Sequence, residues 1–299
     1  NQNNDGGFGV DFGTGDPLSN IPSSVDATLA ISALGYNPDL PSFGAEKSVM
    51  DYLKDNAADM VTFAATNGGS NGKVILALAA AKDNARNFAG HDYVAQLQGH
   101  YDPASGSYNN KNEKTPFNQG LAIAALAAVG EPVPPKALEW LEDLQAPDGS
   151  WDDGFGTLQN PDATAMAIMG LLAGGRDVSA PTIQAALGFL AGSQLDSGGW
   201  EYGPYPWFDE NANSTALVVQ ALAATGENFY ESDGPWAKNG ASPLMVLLSW
   251  QNETGAYQAD FGQGRFDDFF ATAQSIPASL GKPYPFQTYL LMMPIVSGE

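Results

Sequence analysis

The 299-residue chain carries 34 Asp and Glu against 12 Lys and Arg, a net charge of −22, and 43% of it is hydrophobic. So acidic a surface repels nucleic acid and anionic membranes, which need a basic partner face, so neither nucleic acid nor membrane insertion is expected. With no cysteine, disulfides, thiolate metal sites and cysteine nucleophiles are excluded, and a bacterial secreted or cell-surface protein is the expected setting.

In chain order, residues 1–9 read as the tail of a repeat whose helix is missing. The chain also ends on an apolar run. A single domain spanning 1–299, cut from a longer exported protein, is therefore expected. Residues 25–34 form an Ala-rich apolar helix, with Ser24 or Asp26 as N-cap. An amphipathic helix follows at 47–57 and an apolar one at 72–81. Residues 93–98 lead into a longer turn closing at Gly106 and Tyr108, and 115–129 are again apolar.

The clearest stretch is 136–151. Leu138, Leu141 and Leu144 recur at helical spacing, Gln145 closes the helix, Pro147-Asp148-Gly149 turns the chain, and Trp151 folds back. Apolar helices at 162–173, 214–225 and 267–280 then alternate with amphipathic ones at 181–194 and 243–251. Asp162, Asn213 and Asp267 stand where N-caps belong. The repeat anchors fall at Gln2, about Ala57, Gln98, Gln145, Gln194 and Gln251.

A helix apolar nearly all round must be surrounded by protein, whereas one with a single apolar stripe can cover it. An open stack of such hairpins would need polar end caps. Closing six hairpins into a ring buries both ends. The expected fold is all-α, an (α/α)6 toroid of six inner and six outer helices.

Lys136-Ala137, Trp140-Leu141, Gln145, Gly149 and Trp151 together resemble the QW motif of the squalene cyclase and prenyltransferase-type α/α toroids, the terpenoid cyclase superfamily. Partial copies recur at the other anchors. The resemblance implies structural roles for Gln145, Trp151, Gln194 and Trp200, which tie outer helices to their turns. The family's chemistry does not carry over. Its cyclases protonate an alkene with the middle Asp of an Asp-x-Asp-Asp motif, and neither Asp152-Asp153 nor Asp267-Asp268 has the preceding Asp. Its prenyltransferases bind zinc with Asp, Cys and His, so no zinc is expected; His91 and His100 lie on or beside one outer helix. Asp162-Ala163-Thr164-Ala165-Met166-Ala167 and Asn213-Ser214-Thr215-Ala216 resemble inner-helix starts in the cobalamin carriers transcobalamin and intrinsic factor. That resemblance implies a toroid used as a binding scaffold without catalysis, with a corrinoid as one candidate ligand.

Loops from each motif aromatic to the next inner helix should form one rim. Residues 8–13, 151–156 and 257–262 share a subpattern that puts Asp11, Asp152, Asp153 and Asp260 near Phe12, Phe155 and Phe261. The loop 201–210 adds Tyr202, Tyr205, Trp207, Phe208, Asp209 and Glu210. Aromatic faces beside carboxylates suit a sugar, and the carboxylates Asp11, Asp152, Asp153 and Asp260 are candidate calcium ligands. Candidate ligand contacts are Trp151, Phe155, Tyr202, Tyr205, Trp207, Phe208, Phe261, Asp267 and Asp268. Candidate catalytic groups are Asp152, Asp153, Asp209 and Glu210. The reading adopted is a monomeric, non-catalytic domain binding a small molecule, glycan or protein at its rim or central cavity. The alternatives are a carbohydrate-active hydrolase or lyase, and a divergent terpene cyclase with a deep apolar cavity and one Asp of raised pKa.

Overall fold

The computed structural model describes residues 2–10, 17–205, 209–260, 262 and 264–286. Twelve helices lie among them: α1 (Ile21–Ala33), α2 (Val49–Asp55), α3 (Ala57–Ala64), α4 (Gly68–Ala80), α5 (Tyr93–His100), α6 (Pro116–Ala128), α7 (Pro135–Glu142), α8 (Pro161–Ala173), α9 (Pro181–Ser193), α10 (Ala212–Thr225), α11 (Pro243–Leu248) and α12 (Phe269–Ser279). Two short antiparallel strands, β1 (Gln258–Ala259) and β2 (Phe266–Asp267), pair in one loop.

The Ala-rich helices form a closed inner ring. Helix α1 packs on α4, α4 on α6, α6 on α8, α8 on α10, α10 on α12, and α12 returns to α1. The outer layer is α2 and α3 in one interval, then α5, α7, α9 and α11. The small side chains of the apolar helices permit this crowding: Ala122, Ala124 and Ala125 are fully buried. A Cβ on Gly170 of α8 would meet the Cα of Gly120 on α6. No helix among the described residues is long and apolar enough to cross a membrane.

A repeated hydrogen-bond scheme holds each turn to the ring. Asn20, Asn67, Asn160, Asn211 and Asp268 cap inner helices, their side chains accepting the N–H groups of Ser23, Ser70, Ala163, Ser214 and Ala271. Four residues after four of these caps, Ser24, Thr164, Thr215 and Thr272 accept the backbone N–H of Phe8, Trp151, Trp200 and Tyr257. The indole of Trp151 donates to the Leu141 carbonyl at 2.7 Å, and that of Trp200 to Leu190 at 2.9 Å. Gln145 Nε2 bridges the carbonyls of Gly149 and Thr182, and Gln194 those of Gly198 and Trp236. Each glutamine thus fastens its own turn to the next outer segment. Gly149 has a φ of +92°, and a Cβ there would run into the Ala185 carbonyl of α9.

Two expectations need correction. The N-caps of α1, α8, α10 and α12 are Asn20, Asn160, Asn211 and Asp268, not Asp26, Asp162, Asn213 and Asp267. At α1, α8 and α10 the expected apolar runs start after the helix does, because polar residues stand in the first turn, whereas at α12 the expected run began one residue before the Asp268 cap. Gln98 is exposed, and its bridging role falls to Gln119 of α6, which donates to Gly106 and Ala137, each at 3.0 Å. The turn after α5 is longer than the others, so the amide arrives from the inner helix instead.

Candidate functional site

The starts of the inner helices and two rim loops enclose a cavity of about 370 Å³. Its wall holds Asn67, Thr115 and Asn160, the N-cap residues of α4, α6 and α8. Phe117 and Asn118 of α6, Asp162 of α8, Leu217 of α10 and Gln274 of α12 also line it. Asp153, Phe155 and Tyr202 close it from the loops.

Asp153 organises that loop. Its Oδ1 accepts from the backbone N–H of Phe155, Gly156 and Thr157 at 2.7, 2.9 and 2.9 Å. Its Oδ2 accepts from the Tyr202 hydroxyl at 3.0 Å. Burial works to raise the Asp153 pKa, but these hydrogen bonds together outweigh it and hold the carboxyl below its ordinary value. Tyr202 is pinned at its other end, its carbonyl accepting from Asn160 Nδ2 at 2.7 Å. The Tyr205 hydroxyl donates to the Gly156 carbonyl. The 201–205 segment is thereby strapped across the 153–156 turn, leaving the Phe155 ring 80% exposed at the mouth.

Asp162 is the opposite case. It sits in the first turn of α8, and its Oδ1 is shut off from solvent without a partner. Burial pushes its pKa up to about 7, with the nearby Ser214 hydroxyl working the other way. Asp162 is therefore a carboxyl that is about half protonated near neutrality. Beside it, Asn213 Nδ2 donates to Gln274 Oε1 at 2.6 Å. Asp26 of α1 pairs with Lys73 of α4 at 2.6 Å, its side chain 7% exposed.

The other sequence-chosen residues are engaged elsewhere. Trp151 is fully buried, so its ring packs the core and does not face a ligand. Asp152 accepts the N–H of Gln159. Asp209 is exposed and stands near Glu201, whose pKa is raised by burial and then by Asp209. Glu210 is held by the Ser197 hydroxyl and by the Trp250 indole, the latter at 3.2 Å. Asp260 binds the N–H groups of Gly262 and Gly264 in its own loop. Asp267 accepts from Asn252 at 2.6 Å, and Asp268 caps α12. Arg265 covers the Trp250 ring at 3.9 Å and donates to the Ser249 carbonyl. Asp11, Phe12, Trp207, Phe208 and Phe261 lie outside the described residues. Among the described residues no group of three or more His, Cys, Asp or Glu is placed to hold a metal ion. Sequence reasoning missed Asn67, Phe117, Asn118 and Gln274. For Asn67, Phe117 and Asn118 the signal was position, at or just inside the starts of apolar helices; Gln274 lies mid-way along α12 and carried none.

No family model matches the chain. Among solved structures, it is similar to ent-copalyl diphosphate synthase from Streptomyces platensis, with 19% identity and a TM-score of 0.53 over 90% of this chain. It spans about half of that protein, 52% of its length. It is similar to the type II terpene cyclase MstE from Scytonema, with 15% identity, a TM-score of 0.61 and coverage of 93% and 92% of the two chains. It is also similar to haptocorrin in complex with Cbi, with 15% identity, a TM-score of 0.54 and coverage of 87% and 62%. The fold is an α/α toroid. At these identities the likeness establishes the architecture, and in this toroid the cavity lies at the N-terminal mouth of the ring.

Proposed function

We propose that this toroid is an exported, non-catalytic binding domain whose ligand enters the mouth cavity between Phe155, Tyr202 and Asp162. The supporting observation is the composition of the wall. Two loop aromatics stand beside the carboxamides of Asn67, Asn118 and Gln274 and a carboxyl whose pKa is raised to about 7. Such a wall suits a neutral molecule with a broad apolar face and hydroxyl or amide groups. With Asp153 and Asp162 and no Lys or Arg in its lining, this mouth disfavours anions. Haptocorrin, bound to Cbi, gives a precedent for a toroid that carries a ligand. Melting temperature with a corrinoid, a neutral oligosaccharide and an isoprenoid tests the reading. One class should raise it, because a ligand that binds only the folded state stabilises by RT ln(1 + [L]/Kd). Phe155→Ala and Tyr202→Ala should each abolish the shift. No shift, or a shift that survives both variants, counts against the mouth as the site.

One observation favours a second reading. A carboxyl with a pKa near 7 facing a cavity can donate a proton, and MstE is a terpene cyclase with the same architecture. Under that reading Asp162 protonates an isoprenoid alkene. Product formation from a geranylgeranyl compound, lost in Asp162→Asn, would establish it. The polar wall weighs against it, since a carbocation needs an apolar container.

A further inference from the structure

We propose that the groove between the turn after α5 and helix α7 is a second binding site, built for a pyranose sugar that carries a carboxylate. The groove holds about 730 Å³ and is lined by Trp140, Tyr101, His100, Asn109, Lys111 and Lys114. It shares none of its lining with the mouth cavity, so it stands or falls independently of the reading above.

The residue types define the ligand. Trp140 is half-buried, packed against the core while also lining the groove. An indole held in this way offers a rigid face for the C–H side of a sugar ring, which carries large contact area at little entropic cost. Tyr101 stands at the other side, its ring braced against Tyr108 at 5.0 Å.

Asn109 supplies the second, independent signal. It is 7% exposed, and neither its Nδ2 nor its Oδ1 has a hydrogen-bond partner. A buried carboxamide with both ends unpaired is costly, since buried polar groups are almost always satisfied. Adjacent sugar hydroxyls present one donor and one acceptor at the spacing a carboxamide needs. Both atoms are shut off from solvent, so a ligand that draws the side chain toward the groove and supplies these partners removes a penalty the free protein carries.

Charge selects the acid form. The ion pairs among the described residues engage Lys47, Lys54, Lys73, Arg86 and Arg176, and neither Lys111 nor Lys114 takes part in them. Two ammonium groups on one short loop are conspicuous in a chain with 12 Lys and Arg. The carboxylates of the same groove are already occupied. Asp102 accepts from Ser105 and the Ala104 N–H, and Glu113 from Asn110. The Ser105 hydroxyl, ahead of the Ala104 N–H, holds Asp102 below its ordinary pKa. Asp102 and Glu113 stay ionised but are held in their own turn by these bonds, which leaves Lys111 and Lys114 to pair with an arriving carboxylate.

The repeat gives an internal contrast. Phe189 of α9 holds the place of Trp140 one repeat later and lines a neighbouring groove of about 580 Å³. That groove has Asp148 and Glu201 but no lysine in its lining. The scaffold supplies an aromatic floor in both, and the lysines are added in one.

Calorimetric titration with a tetramer of galacturonate at low ionic strength tests the proposal, with maltotetraose as the neutral control. Tight binding of the acidic tetramer is expected. Trp140→Ala should weaken it about tenfold or more. The Lys111→Ala, Lys114→Ala double variant should weaken it by up to about tenfold and flatten its salt dependence. Asn109→Ala should weaken binding without lowering the melting temperature of the free protein, which a merely structural asparagine would not do. Four results would overturn the proposal: no binding, equal binding of maltotetraose, binding unchanged in Trp140→Ala, or binding abolished by Phe155→Ala at the mouth.

Discussion

Two carboxyl groups line the same mouth and are in opposite states. Asp153 lies in a loop and accepts four hydrogen bonds, three from backbone and one from Tyr202. Asp162 lies in the first turn of α8, and its Oδ1 has no partner. What separates the two is the supply of donors. A turn offers several free N–H groups to one oxygen, whereas the Asn160 cap has already taken the N–H of Ala163 beside Asp162. Desolvation is therefore outweighed at Asp153 and left to act at Asp162, so one pKa falls and the other rises.

Asp162→Asn should break the contrast most strongly. The folded pKa of about 7 lies above the ordinary 3.8. The unfolded carboxyl therefore ionises from about pH 4 upward while the folded one stays protonated, so stability is highest below that range and falls until about pH 7. The asparagine variant should lack this slope and gain about 2–4 kcal/mol at pH 8, read from urea unfolding across pH. An unchanged slope would show that Asp162 is solvated.

Asp153→Ala should rank next, costing about 3 kcal/mol by urea unfolding at pH 7, because it strands three N–H donors in the loop. Because the Asp153 pKa is lowered, its contribution is present above the ordinary carboxyl range and lost as pH falls through the folded value. Tyr202→Phe should be mildest, about 1 kcal/mol, since it removes a single hydrogen bond and leaves the ring in place. A larger loss would mean that the strap, and not the turn, holds Asp153.

Much of the ring was legible in the sequence, because the apolar helices alternate with striped ones and the turn chemistry at 145–151 and 194–200 recurs. Gln145 and Trp151 each donate to a backbone carbonyl, of Gly149 and Leu141, in the structural roles the motif implies. The cavity was less legible. Asn67, Asn118 and Gln274 come from three different parts of the chain and meet only through the packing of the inner helices. The caps were misplaced because a short polar first turn reads as loop until its asparagine is seen accepting an N–H, as Asn20 and Asn211 do. Gln119 could not have been picked out, since its role depends on where the long turn after α5 delivers Gly106.

The packing of α12 on α1 has a kinetic side. Other ring contacts join helices near in sequence, whereas Lys282 reaches the Ala33 carbonyl across 249 positions. In a free chain, closing a loop of that length costs only about 1.4 kcal/mol more than closing one of about fifty residues, because the entropy grows with the logarithm of length. Once the intervening helices have stacked along their arc, most of that cost has already been met, and the two ends arrive nearly face to face. The seam is then the last joint to form and the first to open.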